Sequence, residues 1–108
     1  MNTKELITYF EKEYNKKTND FNDNEWYKIS YFEYLTEEFI EKYQNKVKWY
    51  SISYCQKLSG EFINKYKEKI NFDFLSKQNK INYLKYQIKH NIMSNEEYFK
   101  ELLKLHTE

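Results

Sequence analysis

The chain has no proline, one glycine and one cysteine, and by direct reading neither alanine nor arginine. A single cysteine excludes an internal disulfide, which fits a reducing compartment. A lone glycine, Gly60, excludes a glycine-rich phosphate loop. Without arginine, the commonest bidentate contact to a base edge is missing, which argues against sequence-specific nucleic-acid readout. No apolar run approaches the roughly 20 residues that a membrane span needs. The opening "MNTKELITYFEKEY" is polar and amphipathic, not a secretory leader. The expectation is a cytoplasmic protein that does not enter a membrane. With so little Pro or Gly, the connections must be short turns built from Asn, Ser and Lys.

What is present is aromatic. The 108 residues include 12 Tyr, 8 Phe and 2 Trp, enough large side chains to fill a small core and too many for a disordered chain of this charge. All eighteen basic residues are Lys, against 17 acidic ones, for a net charge of +1. The favoured residues have A/T-rich codons, so an A+T-rich genome is inferred, and part of the Lys excess reflects coding bias. The length fits one domain.

The chain repeats itself. A shift of 23 positions aligns Trp26 with Trp49 and Phe72, Ile29 with Ile52 and Leu75, and Ser30 with Ser53 and Ser76. Between units 26–48 and 49–71, twelve of 23 positions are identical: those of Trp26, Tyr27, Ile29, Ser30, Tyr31, Leu35, Glu38, Phe39, Ile40, Lys42, Tyr43 and Lys46. Self-similarity at a fixed period of this length is the signature of a repeat array. Each unit reads as two short helices. The first carries Trp26, Ile29 and Ser30 at i, i+3, i+4. The second starts after an N-cap at Thr36 or Ser59, with Leu35 and Leu58 placed to pack on Ile40 and Ile63 as staples. Its apolar stripe is Phe39, Ile40, Tyr43, Val47 in one copy and Phe62, Ile63, Tyr66, Ile70 in the next.

The same spacing recurs at Leu6, Ile7, Phe10, Tyr14 and at Tyr98, Phe99, Leu102, His106. A degraded copy with one residue deleted reads Leu84, Ile88, Ile92. The predicted fold is therefore all-α, an array of about eight short helices. Five belong to the stripe type, and three short ones lie near 25–34, 48–57 and 72–79. Residues 1–25 form an N-terminal cap helix and a polar connection, 26–48, 49–71 and 72–94 are repeats, and 95–108 is a C-terminal cap helix opened by a capping box at Ser94 to Glu97. Stacked copies bury a common core that no single hairpin can bury alone.

The wording "LTEEFIEKYQNKVKWYSISYCQ" resembles a short helical repeat of predicted proteins from phages and large DNA viruses, in which an "LSEEFI–KY–KV–W–IS–YQ" consensus recurs. The match covers Trp26 to Asn71 well and Phe72 to Ser94 weakly. Gly60 stands where the consensus is acidic, and Lys85 where Ile40 and Ile63 are apolar. The resemblance implies an α-helical array of viral or mobile-element origin, acting in the host cytoplasm. It carries no catalytic residues.

No constellation for chemistry emerges. Cys55 aligns with Phe32, so it reads as a packed thiol with no His–acid partner to activate it. His90 and His106, with Glu97 and Glu101 between them, fall short of the ligand set that zinc requires. Glu33, Glu37, Glu38 and Glu41 could supply an acid/base pair, but Glu-rich helix starts interleaved with Lys read as solvated faces. The expectation is no enzyme, no cofactor and no metal.

Charge is distributed unevenly: −2 over 1–25, 0 over 26–48, +2 over 49–71, +3 over 72–94 and −2 over 95–108. The later repeats are expected to present Lys57, Lys65, Lys67, Lys69, Lys77, Lys80, Lys85 and Lys89 as a basic strip, with Tyr83 and Tyr86 interleaved. Twelve tyrosines exceed what so small a core can bury, and exposed Tyr gives contact area at low entropic cost. The candidate partner-binding residues are Tyr50, Tyr54, Lys57, Lys65, Lys69, Lys77, Tyr83, Lys85, Tyr86 and Lys89. The expected function is a non-enzymatic protein-binding module, a phage or mobile-element accessory protein that inhibits a host factor, with anti-CRISPR proteins as the concrete case. Its partner would be a host protein or ribonucleoprotein complex, the chain itself being a monomer or homodimer. The alternative is a small nucleic-acid-binding regulator using the Lys/Tyr-rich 77–92 helix, with Lys on phosphates and Tyr on bases.

Overall fold

The computed structural model describes residues 1–32 and 34–107, which leaves the acid/base candidate Glu33 outside. Among the described residues there are seven α-helices, two 3-10 turns and no strand. The chain divides into two compact units, Met1–Gln56 and Lys57–Glu108.

The first unit holds α1 (Thr3–Tyr14), α2 (Asp23–Ser30), α3 (Glu37–Lys42) and α4 (Trp49–Cys55). Helix α1 starts with a reciprocal cap: the Glu5 N–H donates to the Asn2 side chain at 2.9 Å, and the Asn2 N–H donates to the Glu5 carboxylate at 3.2 Å. It ends at Asn15, which takes the left-handed conformation (φ 50°) that short polar side chains tolerate. Of the stripe expected here, Leu6 and Phe10 are buried and Ile7 and Tyr14 half-buried.

The polar connection is held by Glu11, whose carboxylate accepts both the backbone N–H and the hydroxyl of Thr18 at 2.8 Å. These bonds hold the Glu11 carboxyl below its ordinary range, the Thr18 backbone contributing most. Buried Phe21 then anchors the chain edge-on to Trp26. A second Asn–Glu capping box, Asn22 with Glu25, starts α2 at Asp23, earlier than the apolar spacing suggested.

The core of this unit is a run of ring contacts. Phe10 meets Phe32 edge-on at 5.1 Å and Phe39 at 5.8 Å, and Trp26 meets Tyr43 at 5.2 Å. Ile29, Ile40 and Ile52 are wholly buried beside them. Ser30 explains its own identity. Its hydroxyl donates to the Trp26 carbonyl and accepts the Lys48 N–H, both at 2.8 Å, so a small side chain joins the end of α2 to the start of α4. The Gln56 amide, just beyond α4, donates to the carbonyls of Ser30 (3.0 Å) and Phe32 (2.6 Å). Helix α1 packs on α3, and α2 on α4.

The second unit holds α5 (Gly60–Lys65), a 3-10 turn at Phe72–Phe74, α6 (Lys77–Lys89) and α7 (Asn95–Thr107). As expected, Thr36 and Ser59 are N-caps, accepting from the N–H groups of Phe39 (3.0 Å) and Phe62 (3.1 Å). Leu35, Leu58, Phe62, Ile63, Tyr66 and Ile70 are buried. Gly60 departs from an acidic pattern for a steric reason. A Cβ there would collide with the Asn82 carbonyl and lie 2.5 Å from the Tyr86 Cβ, so α5 and α6 can approach only over a glycine. Asn79 and Asn82 complete the joint: Asn79 accepts the Leu58 N–H at 2.9 Å and Asn82 donates to the Leu58 carbonyl at 2.8 Å.

Three expectations about the helices are corrected. The short helix expected at 72–79 is a single 3-10 turn, because Ser76, unlike buried Ser30 and Ser53, takes extended backbone and caps α6. That leaves seven α-helices among the described residues, where about eight were expected. On α7 the buried stripe is shifted: Leu105 is buried and Tyr98 and Leu102 half-buried, while Phe99 and His106 face solvent. Phe99, Leu103 and His106 also have helical spacing, so two neighbouring stripes compete and packing on α6 selects one. Ile92, expected in the degraded copy, is likewise exposed.

Candidate functional site: a tyrosine face

Helices α2 and α4 each carry two tyrosines four residues apart, which places each pair on one helix face. Tyr27 and Tyr31 stand on α2 and at its C-cap, Tyr50 and Tyr54 on α4. All four are exposed, from 40% for Tyr31 to 62% for Tyr54, although the helices beneath them are packed together. The Tyr27 and Tyr31 rings lie 4.9 Å apart, and the Tyr27 hydroxyl donates to that of Tyr31 at 3.4 Å. That bond raises the Tyr27 phenol above its ordinary value, and the nearby Tyr31, Tyr50 and Cys55 add to the effect. The exposed phenols of packed α2 and α4 thus give a ring-rich surface bearing hydroxyls, on which Tyr50 lies near enough to Tyr27 to act on it.

Two of the expected partner-binding residues, Tyr50 and Tyr54, belong to this surface. Tyr27 and Tyr31 were not singled out, although the 23-residue alignment pairs Tyr27 with Tyr50 and Tyr31 with Tyr54. The repetition of exposed rings was the signal that could have found them. Cys55 sits half-buried beside the face, and burial pushes its thiol up, away from the thiolate that nucleophilic chemistry needs.

The remaining expected residues fall in the second unit, on several elements. Lys57 precedes α5, Lys65 ends it with its ammonium 5.5 Å from the Tyr66 ring, and Lys69 follows half-buried. Lys77, Lys85 and Lys89 are exposed on α6. Tyr83 and Tyr86 are interleaved with these lysines in sequence. At 100° per residue, Tyr83 lies about 160° around α6 from Lys85. The Tyr83 hydroxyl donates to Asn64 at 3.3 Å, and the Asn64 amide donates to the Tyr86 hydroxyl at 3.2 Å. The two rings are nearly parallel, 6.3 Å apart and half-buried, and burial raises the Tyr83 phenol. They are engaged in joining α5 to α6.

Glu38 is exposed and Glu37 and Glu41 half-buried around the start of α3. Among the described residues, no three His, Cys, Asp or Glu side chains are grouped to hold a metal ion, and no helix is long and apolar enough to cross a membrane. No family model, curated protein or solved structure matches the chain.

Proposed function

We propose that the protein is a non-enzymatic binding module whose tyrosine face, Tyr27, Tyr31, Tyr50 and Tyr54, engages a partner protein. The observation that carries this reading is the exposure of four rings on two packed helices. Tyr is enriched at protein interfaces because a rigid amphipathic ring covers a large area while losing little rotamer entropy. The architecture behind the reading is a set of 23-residue two-helix units, 26–48 and 49–71 complete and 72–94 decayed, with cap helices at either end. The two complete units repeat the same outward tyrosines, Tyr27 with Tyr50 and Tyr31 with Tyr54. The resemblance of Trp26 to Asn71 to viral and phage repeats makes the concrete version an anti-defence protein that blocks a host factor, of the anti-CRISPR kind.

The test is infection of cells carrying an active CRISPR system. Expression of the chain should restore phage plating, and a Tyr27→Ser/Tyr50→Ser variant with an unchanged far-UV circular dichroism spectrum should not. Equal protection by wild type and variant would remove the tyrosine face from the reading. No effect of wild type on any defence system tested would remove the anti-defence role.

A second reading rests on charge. Lys57–Glu108 holds ten Lys against seven acidic residues, a net +3, whereas Met1–Gln56 holds eight against ten, a net −2. A nucleic-acid regulator would bind through Lys77, Lys85 and Lys89, and its affinity for DNA or RNA would fall steeply between low and high salt as counterions are released.

A further inference from the structure

A recess of about 210 Å³ lies between the Phe72–Phe74 turn, α6 and α7. Position 72 holds Phe where a shift of 23 residues sets Trp26 and Trp49, and its ring is 41% exposed against 3% for Trp26. Buried Leu75, Leu84 and Leu105 give the recess an aliphatic lining. The Phe72 and Tyr83 rings, 5.6 Å apart, add two aromatic surfaces. The Tyr83 hydroxyl donates to Asn64, which holds its ring in place.

Charge selects what such a lining can hold. Lys80 stands one turn before Tyr83 and Leu84 on the same face of α6, and it lines the recess half-buried. Among the described residues no ion pair holds its ammonium. The one acid of the lining, Glu101, is met by the Lys104 ammonium at 3.1 Å. Two ammoniums against one carboxylate leave a local excess of one positive charge, which favours an anion over a cation. A single excess charge matches a carboxylate better than a doubly charged phosphate ester. Size limits the rest of the molecule. Pockets for drug-sized ligands start at about 300 Å³, so this recess admits one ring and a short substituent. A ring there gains offset or edge contacts with Phe72 and Tyr83. Its carboxylate accepts a charge-assisted hydrogen bond from Lys80, strengthened by partial burial.

We infer that the recess between the Phe72–Phe74 turn, α6 and α7 binds a small aromatic carboxylate, its ring against Phe72 and Tyr83 and its carboxylate on Lys80. The inference is independent of the tyrosine face, which lies in the other unit.

The probe is phenylacetate, titrated into the full chain and followed by backbone amide chemical shifts. Saturable shifts are expected at Lys80, Tyr83, Leu84 and Leu105. Phenethylamine, the same ring carrying an ammonium, should bind at least about tenfold more weakly. Lys80→Gln keeps most of the side-chain stem and removes the charge, and it should weaken phenylacetate about tenfold, the order of one charge-assisted contact. Lys100→Gln, exposed on α7 outside the recess, should change binding by less than about twofold. Phe72→Ser should also weaken binding while far-UV circular dichroism stays unchanged. The absence of saturable shifts, equal binding of phenethylamine, or equal losses from Lys80→Gln and Lys100→Gln overturns the proposal. Shifts confined to residues outside the recess overturn it as well.

Discussion

The two units handle apolar surplus in opposite ways. Met1–Gln56 buries Leu6, Phe10, Trp26, Ile29, Phe39, Ile40 and Ile52 almost completely, and among its described residues the large exposed hydrophobic side chains other than Met1 are all tyrosines. Lys57–Glu108 buries fewer large side chains and leaves Phe72, Phe74, Ile92, Phe99 and Leu103 exposed. A phenol keeps its hydroxyl in water, so a tyrosine face suits reversible recognition by a free protein. Bare Phe, Ile and Leu gain nothing from water.

The sharpest way to break this comparison is in the core of the first unit. Ile52→Ala removes a wholly buried side chain from beneath the tyrosine face and should cost about 2–5 kcal/mol. Both tryptophans, Trp26 and Trp49, lie in this unit, so denaturation followed by Trp fluorescence reads it directly. The smaller and less enclosed Lys57–Glu108 core should lose less from Leu105→Ala, measured by circular dichroism. A larger loss there would reverse the ranking of the two units.

Gly60→Ala comes next. The added methyl meets α6 backbone and the Tyr86 Cβ, neither of which can swing away, and overpacking of that kind costs about 1–3 kcal/mol. A neutral or stabilised variant, read from urea midpoints, would mean that α5 and α6 are not in close contact. Smaller again are the caps. Thr36→Ala and Ser59→Ala each remove one side-chain acceptor and should cost about 1 kcal/mol by the same measurement. Thr36→Ala should be the costlier, because the Thr36 hydroxyl also meets that of Thr3 at 3.1 Å.

The smallest effect concerns acid. Glu11 and Glu25 are held below the usual carboxylate range, Glu11 by Thr18 and Glu25 first by the Asn22 backbone and then by Lys16. A carboxyl depressed in the folded state contributes stability above its unfolded value and loses it as pH falls through the lowered folded value. The Trp-reported unit should therefore weaken on acidification below the ordinary carboxylate range. Thr18→Val, which removes one of the two Thr18 donors to Glu11, should shallow that dependence; an unaltered acid profile would show that the Glu11 contact contributes nothing.

The elements that were legible from residues alone are those with local causes. Thr36, Ser59 and Ser94 announced helix starts by their chemistry, and each accepts a first-turn N–H. The stripe Phe62, Ile63, Tyr66, Ile70 read as buried, and it is. The caps at Asn2 and Asn22 were missed only because asparagine was not read as the opening residue of a capping box, although Glu5 and Glu25 stand three residues on. On the candidate surface, Tyr50 and Tyr54 were expected and their repeat equivalents Tyr27 and Tyr31 were not.

Sequence by itself determined an all-helical chain, its caps and its apolar periodicity, because a hydrogen-bonded turn and a 3.6-residue stripe depend on neighbours within one or two turns. Tertiary structure decided which of two adjoining stripes on α7 is covered, why position 60 must be glycine, and that Tyr83 and Tyr86 reach Asn64. Each of those outcomes depends on an atom twenty or so residues away in the chain, and periodicity carries no information about where that atom will be.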